Sequence, residues 1–88
     1  MKLNKEDKAM LTTMGHPEKD FQQIKVALQK RITKYKLGNT TISREEAIRI
    51  LGREVFISGI ARSAFHYTAA QRTVDGQIVY FDSSKLFK

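Results

Sequence analysis

Eighty-eight residues, 41% hydrophobic and 28% charged with a single proline, describe one small folded domain and exclude both a two-domain enzyme and a disordered tail. The absence of cysteine removes disulfide frameworks and thiolate zinc sites, and no apolar run approaches the roughly 18 residues of a membrane span. Sixteen Lys and Arg against nine Asp and Glu leave a net charge of +7, which serves either a polyanionic partner or plain solubility.

From Met1 to Met14 the chain carries Lys, Glu and Asp where a signal peptide would be apolar, so the expected location is the cytoplasm. Asn4 to Met14 reads as a short helix, with Asn4 as its cap, Glu6 and Asp7 in its acidic first turn and Gly15 at its end. Its apolar stripe of Ala9, Met10, Leu11 and Met14 is narrow, which predicts loose docking of residues 1–15 on the rest. His16-Pro17 breaks the chain and opens a second helix. There Phe21, Ile24, Leu28, Ile32 and Tyr35 recur at spacings of three and four and share one face. From about Thr33 an alternating pattern competes with the helix, and Gly38-Asn39 before Thr40-Thr41-Ile42 predicts a short hairpin. Between Phe21 and Arg44 stand Lys25, Lys30, Arg31, Lys34, Lys36 and Arg44 with no acid, so this window carries +6.

Ser43-Arg44-Glu45-Glu46 is a capping-box pattern, which predicts a helix of about two turns through Ala47, Ile48 and Leu51 to Gly52. A fourth helix follows. On it Phe56, Ile57, Ile60, Ala61, Ala64, Phe65 and Thr68 are expected on one face, with Arg62, Ser63, His66 and Ala70 on another. Gly59 in its interior costs about 1 kcal/mol against alanine, so the small residues from Ser58 to Ala64 imply that something approaches closely, either another part of the domain or a DNA groove. Asp75-Gly76 between the arms Arg72-Thr73-Val74 and Gln77 to Phe81 predicts a hairpin with a two-residue turn, pairing Val74 with Gln77 and Arg72 with Val79. Asp82-Ser83-Ser84 can cap a last helical turn, Lys85 to Phe87. The expected architecture is α+β: three to four helices and two short hairpins around Phe21, Ile24, Leu28, Ile32, Ile48, Leu51, Ile57, Ile60, Phe65 and Ile78.

The order short helix, turn, longer helix and two-stranded ribbon over residues 43–87 resembles a winged helix-turn-helix. Ser43 to Gly52 is similar to the opening helix of excisionase and MerR-type domains, and Val79-Tyr80-Phe81-Asp82-Ser83-Ser84-Lys85-Leu86 to the end of their wing. The pattern departs from these families at Arg53 to Ile57, read as a link longer than their usual short turn, and in the few basic residues of the helix that follows. The run from Leu51 to His66 also resembles small uncharacterised proteins of conjugative elements in gut bacteria, which implies an accessory role in a mobile element.

Catalysis has no support. Ser63 and His66 at i and i+3 lack a nucleophile elbow, Glu45 and Glu46 point about 100° apart on a helix, and the glycines fit no phosphate loop. His16 and His66 have no acidic cluster to complete a metal site, so neither a metal nor another cofactor is expected. Two classes remain: a nucleic-acid binder, with duplex DNA as the expected partner, and a protein-binding adaptor that uses the small-residue helix or the hairpin edge. In the first, Lys30, Arg31, Lys34 and Lys36 supply phosphate contacts, and Arg44 and Arg72 are further nucleic-acid-binding candidates. Arg62 and His66 reach the groove, where Ser58 and Ser63 permit close approach. Tyr35, Tyr67 and Tyr80 fit core or rim positions as well as stacking ones.

Overall fold

A computed structural model of the chain describes residues 2–30 and 33–87. The fold is α+β, with helices α1 (Lys5–Thr13), α2 (Phe21–Gln29), α3 (Arg44–Leu51), α4 (Arg53–His66) and α5 (Ser84–Phe87) and strands β1 (Lys34–Leu37), β2 (Thr40–Ile42), β3 (Thr68–Arg72) and β4 (Ile78–Asp82). The two expected hairpins are present and join, because β1 pairs antiparallel with β4, giving one sheet in the order β2-β1-β4-β3. Helix α4 lies across β3 and β4 and is flanked by α1, α2 and α3.

The core is organised around three rings. Tyr35 of β1, Phe56 of α4 and Phe81 of β4 have centroids 5.5–5.6 Å apart, with Tyr35 edge-on to Phe81. Such contacts add about 0.5–1.5 kcal/mol per pair beyond area burial. Phe81 also explains the glycine in α4: a Cβ on Gly59 would stand 2.5 Å from two of its ring atoms. The body that approaches the small-residue helix is thus an aromatic ring from the neighbouring strand. Ile24, Leu28, Ile57 and Ile60 are buried as expected, together with Leu11, Ala27, Ala47, Ala61, Ala64 and Val79. Phe21, Ile48, Leu51 and Phe65 pack partly buried against that core.

Several expectations are corrected. Helix α2 stops at Gln29, where Lys30 turns to extended backbone (φ −82°, ψ 138°), so Tyr35 enters the core from a strand and not from the helical stripe. Ile32 and Arg31 lie outside the described residues. Helix α4 begins at Arg53 directly after Gly52, so Arg53 to Ile57 is helix and no long link intervenes. Gly52 at φ 83° makes the turn alone, in a conformation costly for a residue with a Cβ. Thr68 and Ala70 belong to β3, because the helix ends at His66.

The register of the second hairpin is shifted by one, with Arg72 opposite Ile78 and Gln71 opposite Val79. Thr73 receives the Gly76 amide at 3.0 Å and donates its own to the Gln77 carbonyl at 2.8 Å. The loop is therefore three residues, Val74 to Gly76, with Gly76 at φ 84° taking the left-handed position of a bulged turn. The shift moves Arg72 and Ile78 to the outer face, and Ile78 leaves the core.

Asn4 and Asp7 form a complete capping box, each side chain accepting the other's amide at 2.8–2.9 Å. At α3 only half of that motif exists: Ser43 Oγ accepts the Glu46 amide at 3.1 Å, while the Glu46 carboxylate is taken by Arg49.

The first helix is anchored more firmly than its stripe implies, by fully buried Leu11 and by Asp7, whose carboxylate accepts Arg53 Nε at 3.2 Å and Nη2 at 2.6 Å. Burial alone would raise the Asp7 carboxyl, but hydrogen bonds from Arg53 and the Asn4 amide, with the Arg53 charge, outweigh it and hold the group below its ordinary value.

Two predictions follow from this packing. Gly59→Ala gains about 1 kcal/mol of helix propensity but forces a methyl against a buried ring, which costs about 1–3 kcal/mol. The urea midpoint should fall, and combining the change with Phe81→Leu should cost less than the two single losses together. For Asp7 the depressed folded pKa means that the stabilisation is full above the unfolded value near 3.9 and is lost as pH falls through the lower folded one. Asp7→Asn should destabilise by roughly 1–2 kcal/mol at neutral pH, discounted for the partial exposure of Arg53, and should flatten the acid limb of the stability curve. An unchanged acid limb would contradict this role.

Candidate nucleic-acid interface

Alternation in the strands sorts the basic residues. Tyr35, Phe81 and Val79 face the helices, so their neighbours Lys34, Lys36, Tyr80 and Ile78 face the other way, where Lys34, Lys36 and Tyr80 are exposed. Register then sets the rows. Lys36 stands opposite Thr41 on one side and Tyr80 on the other, and Tyr80 in turn stands opposite Ala70. In the next rows Lys34, Asp82 and Thr68 align, and Arg72 sits beside Ile78. Tyr80 keeps 45% of its surface in water, and the small Ala70 leaves one flank of its ring open.

Lys34, Lys36 and Arg72 are all exposed on this face. Arg72 Nη1 donates to the Gly76 carbonyl at 3.1 Å, which holds the guanidinium beside the hairpin loop. Asp82 is the opposing charge. It accepts the Ser84 amide at 3.0 Å, and bonds from Ser84, with the Lys34 and Lys36 charges, pull its carboxyl below the usual range despite partial burial. The face is therefore basic by two, with an aromatic ring at its middle.

Helix α4 offers less than expected to a groove. Seven of its fourteen residues are buried, and its exposed positions Glu54, Arg62 and His66 form a single narrow stripe that includes an acid. Ser58 is half-buried on that stripe, 3.5 Å from Gln71 Nε2. Ser63 is corrected outright. It is fully buried, donates to the Ile60 carbonyl at 3.0 Å and meets Ser83 Oγ at 3.1 Å, in a hydroxyl chain that runs on to Thr33 and the Ala27 carbonyl. Burial with satisfied bonds makes it a structural residue, because no ligand can reach it.

Lys30 is exposed at the end of α2, where its carbonyl accepts Arg44 Nη2 at 3.3 Å, and Arg44 is half-buried. Lys34 and Lys36 thus lie on the sheet face, and Lys30 and Arg44 at the head of α3. The residue missed as a site in its own right is Tyr80. Its signal was present in the order Val79-Tyr80-Phe81, where two core residues must turn the tyrosine outward.

Among the described residues no helix is long and apolar enough to cross a membrane, and no three His, Asp or Glu side chains come together as a metal site would require. No protein-family model, curated protein or solved structure matches the chain.

Proposed function

We propose that this is a small basic nucleic-acid-binding protein that receives a strand on the open face of its sheet. The observation that carries the reading is the exposed ring of Tyr80 set among Lys34, Lys36 and Arg72. An exposed aromatic among cations is how single strands are held without sequence preference, with a base stacked on the ring and phosphates along the cations. A paired base cannot offer its face to Tyr80, so the reading favours a single strand over the duplex expected from sequence. In the winged-helix resemblance of residues 43–87, Arg62, His66 and Ser58 would instead meet a major groove. That route has one guanidinium and one histidine to work with. An accessory role in a mobile element rests on sequence resemblance alone.

The adaptor reading has one observation of its own, a shallow groove between α1 and α4 lined by Met10, Met14 and Val55, with Met14 40% exposed. Salt separates the two readings. Tyr80→Ala should weaken single-strand binding by about 1–3 kcal/mol with little effect on folding, because the ring is not in the core. Replacing Lys34 and Lys36 together by Ala should reduce the log-log salt slope by about 1.4 on single strands, or about 1.8 on duplex DNA. Affinity that ignores both salt and Tyr80 would defeat the proposal and leave the adaptor in front.

A further inference from the structure

The two edges of the sheet differ in kind. Strand β2 is three residues long, whereas β3 has five, and no described strand pairs with its outer side. Hydrogen bonds just beyond both ends of β3 fix which of its backbone groups are already used. The Tyr67 carbonyl accepts the Ser83 amide at 2.7 Å, and the Thr73 amide donates to the Gln77 carbonyl at 2.8 Å. Antiparallel ladders bond alternate residues, so Ala69 and Gln71 exchange bonds with Phe81 and Val79, while Thr68, Ala70 and Arg72 turn N–H and C=O to the edge. Natural edges of this kind are blocked by lysine, proline, a bulge or an inward charge. This one has none of them: Ala69 and Ala70 are small, and Arg72, its single charge, is held beside the hairpin loop by the Gly76 carbonyl.

We propose that β3 pairs antiparallel with β3 of a second copy of this chain, about a two-fold axis at Ala70. Thr68 of each copy then exchanges bonds with Arg72 of the other, and Ala70 with Ala70. In no other register do all the outward groups of Thr68, Ala70 and Arg72 find partners, and no like charges stand opposite one another in this one. The flanks of the edge fit the same axis. Tyr67 before β3 and Val74 after it are large hydrophobic residues left in water, 43% and 97% exposed, and the pairing carries the hairpin loop of each copy to the level of Tyr67 of the other. On the helix side Ser58 stands 3.5 Å from Gln71 Nε2, which sets the exposed stripe Glu54, Arg62 and His66 of α4 along the same border. A two-fold runs that stripe antiparallel to itself, so the acid of one copy faces the basic end of the other. Backbone donors, apolar surface and charge thus complement their own copies about one axis, which identifies the occupant as this chain and not an unrelated strand. Pairing at the edge leaves the open face uncovered and does not rest on the nucleic-acid reading. With both in place, Tyr80 and Ala70 of the two copies form one row, and the rings stand about 14 Å apart on a continuous sheet.

Sedimentation equilibrium of the full chain without nucleic acid, from micromolar to millimolar concentration, should show a monomer–dimer equilibrium. Amide hydrogen exchange locates the contact: Thr68, Ala70 and Arg72 should slow as the dimer fills, while Ala69 and Gln71, already bonded to β4, should change little. Ala70→Pro removes an N–H that β4 does not use, at a position an edge strand tolerates. It should weaken the dimer by about tenfold or more, because each copy loses a bond. Val74→Asp lies at a loop tip outside the core and should weaken the dimer with the monomer's Tm unchanged, which keeps the test open if the proline variant fails to fold. A chain that stays monomeric throughout, or a dimer that survives Val74→Asp while Thr68, Ala70 and Arg72 still exchange fast, overturns the proposal.

Discussion

The ring of Phe81 occupies the space that a Cβ on Gly59 would need, 2.5 Å from where that atom would stand. This seat fixes how closely β4 approaches α4. It also fixes the phase of the strand, because a one-residue slip would turn Phe81 and Val79 to solvent and bring Tyr80 against the helix. Phe81 faces Tyr35 across one strand boundary and Ala69 across the other, so the same phase passes to β1 and β3. The outward display of Lys34, Lys36, Arg72 and Tyr80 is thus a consequence of core packing. The glycine cost in helix propensity is offset by the three-ring cluster that its missing side chain admits.

Local signals in the chain carried their information well. The caps at Asn4 and Ser43, the stop at Gly52 and the turn at Gly76 each depend on one or two neighbouring residues, and each lies where its chemistry puts it. The errors fall where a distant partner decides. Tyr35 continues the helical spacing of Leu28, but pairing of β1 with β4, more than 40 residues away, places it in a strand. The turn at Asp75-Gly76 is consistent with a two- or a three-residue loop, and the core positions of Val79 and Phe81 select the longer one. Ser63 was placed on an outward face by helical angle alone, since nothing local tells that Ser83 comes to meet it.

The same long-range pairing hid the sheet-face site. Lys34 and Lys36 were legible as cations and Tyr80 as an aromatic, but two separate hairpins give no reason to put them in one row. Once β1 joins β4, Lys36 and Tyr80 become direct neighbours, and Arg72 comes to the same face through the shifted register. Lys34 also lines a cavity at the head of α3, with Tyr35, Ser43 and Arg44.

Backbone and side-chain resonances followed during titration with a short single-stranded oligonucleotide test the central claim most directly, because they report where the ligand sits as well as whether it binds. The account predicts the largest shifts at Lys34, Lys36, Ala70, Arg72 and Tyr80, with the Tyr80 ring protons moving upfield as a base stacks on them. Shifts centred on Glu54, Ser58, Arg62 and His66, with the sheet face unchanged, would contradict it and return α4 to the role of reader.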